Sequence, residues 1–443
     1  MKLAIDQKVL ISALERGAMA ALSDEAQGDT SSFHKLIQSV KITAGKDEFT
    51  IESGTSLLAT KWSIKSTKEN GIEVKEEGIA LVPAKEIYGW ASKQTKSKIA
   101  LTLTKLKVPE IIKDGDGSTD YGSGQSLSVK KIGTLKLVSR DDSKTGNKWN
   151  LDCYDPDQMK SVDFSQAPDK VVQIPTIQLT EALKNVAFSS QPKDYEHVFD
   201  SIVIERYKGK VYMAASDCHR CSIYYLDQAT EVDEKFFTET KTDNGTTEYG
   251  QKVLIPSVFL RGVSKIAEGS EVLVSYDKSK SKVYLSVGDW NIRMATVDPK
   301  MFDKFPTVAM LMSKTYKNLG SIPKGILTNR LVSASLVNKE MVLFDFNKDD
   351  DKGDSVIIHA ISESGKAPNI SNAPVNKLVK DIKAVWGVKH IMEVAKIIKD
   401  DDVSFMVPDD LRSVKVVSEE DPNLEYYSMV IDNVKYAHFF DKD

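Results

Sequence analysis

Apolar residues along this chain keep switching between two periods. Short aliphatic runs of alternating character give way to stretches where apolar residues return every three or four positions, and the alternation then resumes. Period two marks a strand with one buried face, and a spacing of three to four marks a helix. Six helices are predicted this way. The first carries Leu10, Ala13, Leu14 and Gly17 on one face, after a strand at Lys2–Ile5. The second carries Ile87, Trp90 and Ala91, and the third Leu179, Leu183 and Val186. Phe259, Val263 and Ile266 mark the fourth, and Leu327, Leu331 and Ala334 the fifth. The sixth has Ile391, Val394, Ala395 and Ile398, followed by a strand at Val403–Val407.

Four of these helices follow an aliphatic-proline pair: Val82-Pro83, Ile174-Pro175, Ile255-Pro256 and Ile322-Pro323. Proline suits the first helical position, whose N–H has no intrahelical partner. The chain therefore reads as one strand-helix-strand unit repeated six times. Between the helices lie further short strands, among them Phe49–Ser53, Ile99–Leu103, Ser201–Glu205, Val211–Ala215, Glu271–Ser275, Lys282–Val287, Met341–Phe346 and Val414–Val417. Turn signals such as Tyr207-Lys208-Gly209-Lys210 separate them. A doubly wound parallel sheet would place a helix after every strand. These runs instead predict an α+β protein with antiparallel sheets and few helices.

Pairing the units predicts three domains, at 1–167, 168–313 and 314–443, with polar connectors between them. The first is longest because of the Gly-, Asp- and Ser-rich tract Lys113–Gln125, read as an extended hairpin loop. A length of 443 residues fits several domains, and 41% hydrophobic with 28% charged residues is the balance of a folded protein. No run approaches 18 consecutive apolar residues, so no membrane span or membrane partner is expected. Residues 1–20 have no secretory apolar core. Three cysteines cannot make a disulfide framework, which points to a reducing cytoplasm.

Charge is distributed unevenly. The net charge is −4, yet each of the six helical windows is neutral or net positive, so the rest of the chain is the acidic part. The helices carry Lys85, Lys93, Lys184, Arg261, Lys265, Lys324, Arg330, Lys389 and Lys396. If equivalent helices face one way, that face suits a phosphate backbone without base readout. Solvated lysines on a helix's outer face are the plainer alternative.

Other chemistry is weakly signalled. Cys218-His219-Arg220-Cys221 is a C-x-x-C, but redox pairs of this kind open helices, and here the preceding residues are strand-like. A strand continued through it would turn the two thiols to opposite faces. Asp114, Asp116, Ser118 and Asp120 alternate as in a calcium loop, but Thr119 and Gln125 stand where Gly and Glu are needed. There is no phosphate-binding G-x-x-x-x-G-K-[ST], G-x-S-x-G or H-E-x-x-H motif. No enzymatic activity, cofactor or metal is expected.

The stretch Val211-Tyr-Met-Ala-Ala-Ser-Asp217-Cys-His219-Arg220-Cys-Ser-Ile resembles the bacterial sliding clamp, the beta subunit of the replicative DNA polymerase. That family has Ala-Thr-Asp-Gly-His-Arg-Leu at the equivalent place. The likeness runs back through residues 185–205 and forward through 252–268 to the Phe305-Pro306 pair. It is good over roughly 171–311, fair over 388–431 and poor over 1–167. The motif falls in the third of six repeats, where the family places it.

The resemblance implies three tandem clamp domains of two units each. Two chains would close head to tail into a homodimeric ring, with the helices lining the hole. Duplex DNA would be threaded through it without regard to sequence, and Lys193 would join the helical lysines and arginines as a contact. An ATP-driven clamp loader would open the ring, and the clamp would tether the DNA polymerase and other proteins carrying a clamp-binding motif. Such partners insert a short peptide into an apolar pocket. By position, Phe199, Ser216, Cys218, His219, Arg220, Cys221, Pro306, Met310, Leu311, Tyr427 and Met429 would line it. Cys218 replaces the family glycine, Cys221 the leucine and Met310 a usual arginine. Residues 432–443 add a tail with Tyr436, Phe439 and Phe440. Such divergence points to a bacteriophage or otherwise remote clamp, at work in a bacterial or infected host cell. Two other readings stay open at this point: an interaction scaffold of the same repeat without a DNA role, and a C-x-x-C redox or zinc protein.

Overall fold

The computed structural model describes residues 1–22, 32–55, 57–112, 128–140, 147–159, 161–165, 167, 171–190, 198–207, 210–226, 231–232, 240–241, 247–248, 253–266, 269, 271–277, 281–297, 305, 308–349, 351, 353–360 and 369–429. The ladders among them are antiparallel. The six predicted helices form at Gln7–Gly17, Ala84–Ser92, Thr176–Val186, Ser257–Ile266, Lys324–Ser335 and Val388–Ile397. None of the described helices is long and apolar enough to cross a membrane. The tract predicted as a loop at 113–125 lies outside the described residues. The strands beside it, Lys98–Ile112 and Val129–Arg140, pair as a long hairpin.

One geometry recurs at the helix starts. Pro83 and Pro323 close their strands and stand one position before the helix, at φ −58°, ψ 120° and φ −53°, ψ 122°. The sequence reading placed these prolines at the first helical position. They sit one residue earlier because each still belongs to a ladder, Pro83 opposite Ser39 and Pro323 opposite Asp402. Asp6 (φ −65°, ψ 136°) and Gly387 (φ −64°, ψ 122°) take the same backbone shape in the proline-less units.

In five of the six helices the first helical amide then finds an equivalent acceptor. The amide of Gln7 donates to the carbonyl of Ser97 (2.8 Å) and that of Ala84 to Gln38 (2.9 Å). Lys324 donates to Asp401 (2.7 Å), Val388 to Glu340 (3.1 Å) and Ser257 to Asp200 (2.7 Å). Every acceptor immediately precedes a strand of another unit. The bonds are reciprocal: the first helix meets the second unit and the second helix the first, and the fifth and sixth do the same. A helix N-terminus leaves four amides without intrahelical partners, and this bond satisfies one of them.

The chain packs as two compact units. One comprises residues 1–176 with 265–295, the other 177–264 with 296–443. In the first, a continuous sheet runs from Val171–Pro175 through Glu271–Asp277, Lys282–Val287, Trp290–Ala295, Leu58–Lys65, Glu48–Gly54 and Ser39–Ala44. It continues through Gly78–Pro83, Lys148–Tyr154, Val129–Arg140, Lys98–Ile112 and Lys2–Asp6 to Ile72–Glu76. The helices Gln7–Gly17 and Ala84–Ser92 bury Leu10, Ala13, Leu14, Ile87 and Ala91 as the spacing predicts, while Trp90 is only half-buried. Each full burial of a leucine or isoleucine contributes about 1.5–3 kcal/mol. Gly17 lets its helix lie against the strand Glu48–Gly54: a Cβ there would stand 2.4 Å from the Ile51 carbonyl oxygen.

The second unit holds an eight-stranded sheet in the order Val253–Pro256, Ser201–Tyr207, Lys210–Ser216, Arg220–Tyr225, Leu424–Met429, Ser413–Val417, Asp402–Pro408, Tyr316–Pro323. A four-stranded sheet runs Asn369–Pro374, Ser355–Ala360, Met341–Asn347, Ile382–Gly387. Phe344, Phe346 and Trp386 of the smaller sheet pack on Phe405 of the larger. Trp386 stacks on Phe405 with ring centroids 5.6 Å apart.

Candidate functional site

The strands Lys210–Ser216 and Arg220–Tyr225 form a hairpin whose turn is built by its own side chains. Asp217 accepts from the amides of His219 (3.1 Å) and Arg220 (3.0 Å). Ser216 Oγ donates to the Arg220 carbonyl (2.7 Å) and accepts from the Cys218 amide (3.3 Å). Satisfying these amides reverses the chain at Cys218, which takes φ 71°. The sequence reading continued a strand through this motif, and the structure corrects that. Short aspartate and serine side chains offer the backbone an alternative to the ladder. The two thiols separate nonetheless: Cys218 is exposed and Cys221 buried. Burial pushes the Cys221 thiol well above its usual range, the opposite of what a redox thiolate needs. No cluster of three or more potential metal ligands occurs among the described residues.

Arg220 turns inward and ties the hairpin to two other elements. Its Nε meets Asp217 Oδ2 at 2.8 Å, one terminal nitrogen pairs with Glu393 on the helix Val388–Ile397, and the other donates to the Phe188 carbonyl at 2.8 Å. Its guanidinium also lies 5.6 Å from the centre of the Phe188 ring. Phe188 stacks on Tyr426, and the Tyr426 hydroxyl donates to the His390 carbonyl (3.1 Å). His390 stands 6.5 Å from the ring of His219. Burial first, and the nearby Arg220 charge second, hold His390 down to about 4.

The strand Leu424–Met429 continues this sheet, with Cys221 opposite Tyr427. Cys221, Leu311 and Tyr427 share one apolar cluster with Val198, Phe305 and Val308, and Met429 packs partly exposed against it. Phe199 is half-buried nearby in sequence, and Cys218 and His219 are exposed on the turn. The amide of Met429 donates to the His219 carbonyl (2.8 Å), so the turn and the strand end are joined. Ser216 and Arg220, at 2% and 5% exposure, serve the turn rather than an open surface. Pro306 lies outside the described residues, as does the side chain of Met310. Sequence reasoning missed Phe188, Glu393, His390 and Tyr426, and also Lys415. That lysine pairs with Glu425 (2.6 Å) and lies 5.6 Å from the Tyr427 ring centre. Only the hairpin's local Ser-Asp-x-x-Arg pattern was visible in one stretch of chain.

The predicted DNA contacts divide. Lys85, Lys93, Lys184 and Lys396 are exposed. Lys184 and Lys396 stand in the last turns of their helices, where a cation complements the helix dipole. Lys389 is exposed and 3.9 Å from Glu393. Arg330 donates through Nε to the Asn372 carbonyl (3.2 Å). Lys324 is committed to structure: its ammonium donates to the carbonyls of Ile398 (3.1 Å) and Lys399 (3.3 Å), just past the end of a neighbouring helix. The side chains of Arg261 and Lys265 and the whole of Lys193 lie outside the described residues.

These elements define a class: an antiparallel α+β protein of repeated strand-helix-strand units. No protein-family model matches the chain, and no curated protein matches its sequence. Solved structures do. The DNA polymerase III beta subunit of Thermotoga maritima superposes with a TM-score of 0.72 at 15% identity, covering 97% of this chain and 99% of that one. The DNA polymerase III subunit beta of Pseudomonas aeruginosa gives 0.71 at 13%, covering 97% and 100%. The DNA polymerase sliding clamp of Bacillus subtilis gives 0.71 at 14%, covering 98% and 99%. The chain has the fold of the bacterial DNA sliding clamps, at low sequence identity.

Proposed function

We propose that this chain is a DNA sliding clamp. It would work as a head-to-tail homodimeric ring of three domains per chain, encircle duplex DNA and tether a replicative polymerase. The observation that carries the reading is the fold itself: the clamp architecture spans 97–98% of the chain and 99–100% of the clamps compared. The reciprocal helix-start bonds support a pairing of units into domains. Exposed Lys85, Lys93, Lys184, Lys389 and Lys396 lie on three of the six repeated helices or just past their ends. Phosphate contacts of this kind are sequence-blind and salt-sensitive, which suits sliding. Tethering makes each polymerase rebinding effectively intramolecular. The chain does no chemistry in this reading, and an ATP-driven loader would place it on DNA. Partner peptides would meet Cys218, His219 and Met429 beside the apolar cluster of Leu311 and Tyr427.

Two measurements test this. Light scattering across a concentration series should give twice the chain's 49.2 kDa. Replacing Lys85, Lys93, Lys184, Lys389 and Lys396 by Glu should then reduce retention on DNA without altering that mass or the melting temperature. Unchanged retention would remove the helices from the DNA interface.

A further inference from the structure

In the first unit, a cleft of about 550 Å³ opens between the helix Ala84–Ser92 and the start of the strand Lys148–Tyr154. That is within the roughly 300–1,000 Å³ of ordinary small-ligand sites. Lys85, Lys93 and Lys148 border it, all exposed, with Glu86 beside them. Two half-buried indoles, Trp90 and Trp149, line it as well.

The amides of this cleft are already engaged with one another. Asn147 Nδ2 donates to Gln94 Oε1 (3.1 Å), Gln94 Nε2 donates to the Trp90 carbonyl (2.8 Å), and Gln7 Nε2 donates to the Gln94 carbonyl (2.8 Å). These bonds brace Gln94 and Asn147, which themselves line the cleft. What it offers a ligand is aromatic surface and positive charge, with little hydrogen-bonding code. Indoles among lysines are the recognition chemistry of single-stranded nucleic acid, where each base presents a π-face and each phosphate a charge. In a duplex the base faces are hidden in the stack.

We propose that this cleft holds an unpaired nucleotide of single-stranded DNA, its base against Trp149, with Trp90 beside it, and its flanking phosphates near Lys85, Lys93 and Lys148. The inference rests on the clamp reading for bringing DNA to this helix, and it adds a ligand that reading does not contain. It assigns the cleft to strand that continues unpaired from a duplex end.

Tryptophan fluorescence isolates the site. Of five tryptophans, Trp62, Trp290 and Trp386 are buried, at 5%, 1% and 0% exposure. Titrating the full chain with an oligothymidylate about twelve nucleotides long should give saturable quenching. With three lysines engaged, the slope of log K against log salt should be about −2. Trp149→Ala should weaken binding roughly 5- to 150-fold, and Trp149→Phe should keep most of it. Trp149 stands near the start of its strand, so this variant is expected to fold, with its melting temperature as the check. Saturable quenching by the single strand, absent with duplex and lost in Trp149→Ala, supports the inference. No quenching by the single strand, or equal quenching by duplex of the same length, overturns it. If single-strand quenching holds while retention on duplex fails, the cleft stands and the clamp reading falls. If retention holds without quenching, the reverse is true.

Discussion

Arg220 and Glu393 stand 173 residues apart in the chain and form an ion pair between the turn of a hairpin and the helix Val388–Ile397. The guanidinium also holds Asp217, whose side chain is only 6% exposed. Truncating Arg220 would leave that carboxylate buried without its cation. Breaking one side of a buried pair costs about 3–5 kcal/mol. Arg220→Ala should lower the urea midpoint accordingly. Arg220→Lys should recover only part of the loss, because one ammonium cannot reach Asp217, Glu393 and the Phe188 carbonyl in the fork geometry.

His390 gives this region a dependence on pH. Its folded value, about 4, lies below the ordinary 6.5 of the free side chain. The unfolded chain therefore binds the extra proton first as pH falls, and stability drops between pH 6.5 and about 4. Above pH 6.5 the histidine contributes no slope. His390→Gln should flatten the acid limb of stability against pH in that window, measured as the difference from the parent chain. An unchanged limb would mean that His390 is solvated.

The thiols should report the turn directly. Cys218 is exposed, Cys221 is buried, and burial pushes the Cys153 thiol up to about 11. A thiol reagent applied to the folded protein should modify Cys218 quickly and the other two only on unfolding.

Cys218 also holds a left-handed backbone at φ 71°, where a side chain costs about 1–2 kcal/mol. Glycine returns about 0.5–1 kcal/mol of that through its freer unfolded state. Cys218→Gly should raise stability by the remainder, up to about 1.5 kcal/mol, in chemical denaturation.

The proposed partner surface can be tested apart from the proposed ring. Met429 packs partly exposed against the cluster that holds Leu311 and Tyr427. Met429→Glu should abolish polymerase stimulation in primer extension while leaving the solution mass unchanged. Full stimulation by this variant would move the partner surface elsewhere.

The repeat was legible because it is written in local periods. Leu10, Leu14, Leu327 and Leu331 fall on buried helix faces as their spacing requires. The proline pairs marked where strands hand over to helices, one residue off, because Pro83 and Pro323 serve the ladder as well. In the candidate site, the residues alone pointed only to the hairpin, while Leu311, Tyr427 and Met429 were reached through the family resemblance and cluster with Cys221. Nothing local to Arg220 reveals that Glu393, Phe188 and His390 surround it, since those contacts exist only once the sheet from Val253–Pro256 to Tyr316–Pro323 has formed. Charge was read least well: Lys324 looked like a DNA contact, yet its ammonium bonds the carbonyls of Ile398 and Lys399.

The central claim is topological, and it can be tested without a loader. The protein is incubated at high concentration with linear duplex whose ends are open. The ends are then blocked with bulky adducts, and the sample is washed in high salt, where phosphate contacts alone no longer hold. A ring threaded on the duplex should remain bound when the ends are blocked and leave when an internal restriction cut reopens them. Retention indifferent to blocking and cutting, or no retention beyond that of an open-ended control, would contradict the account.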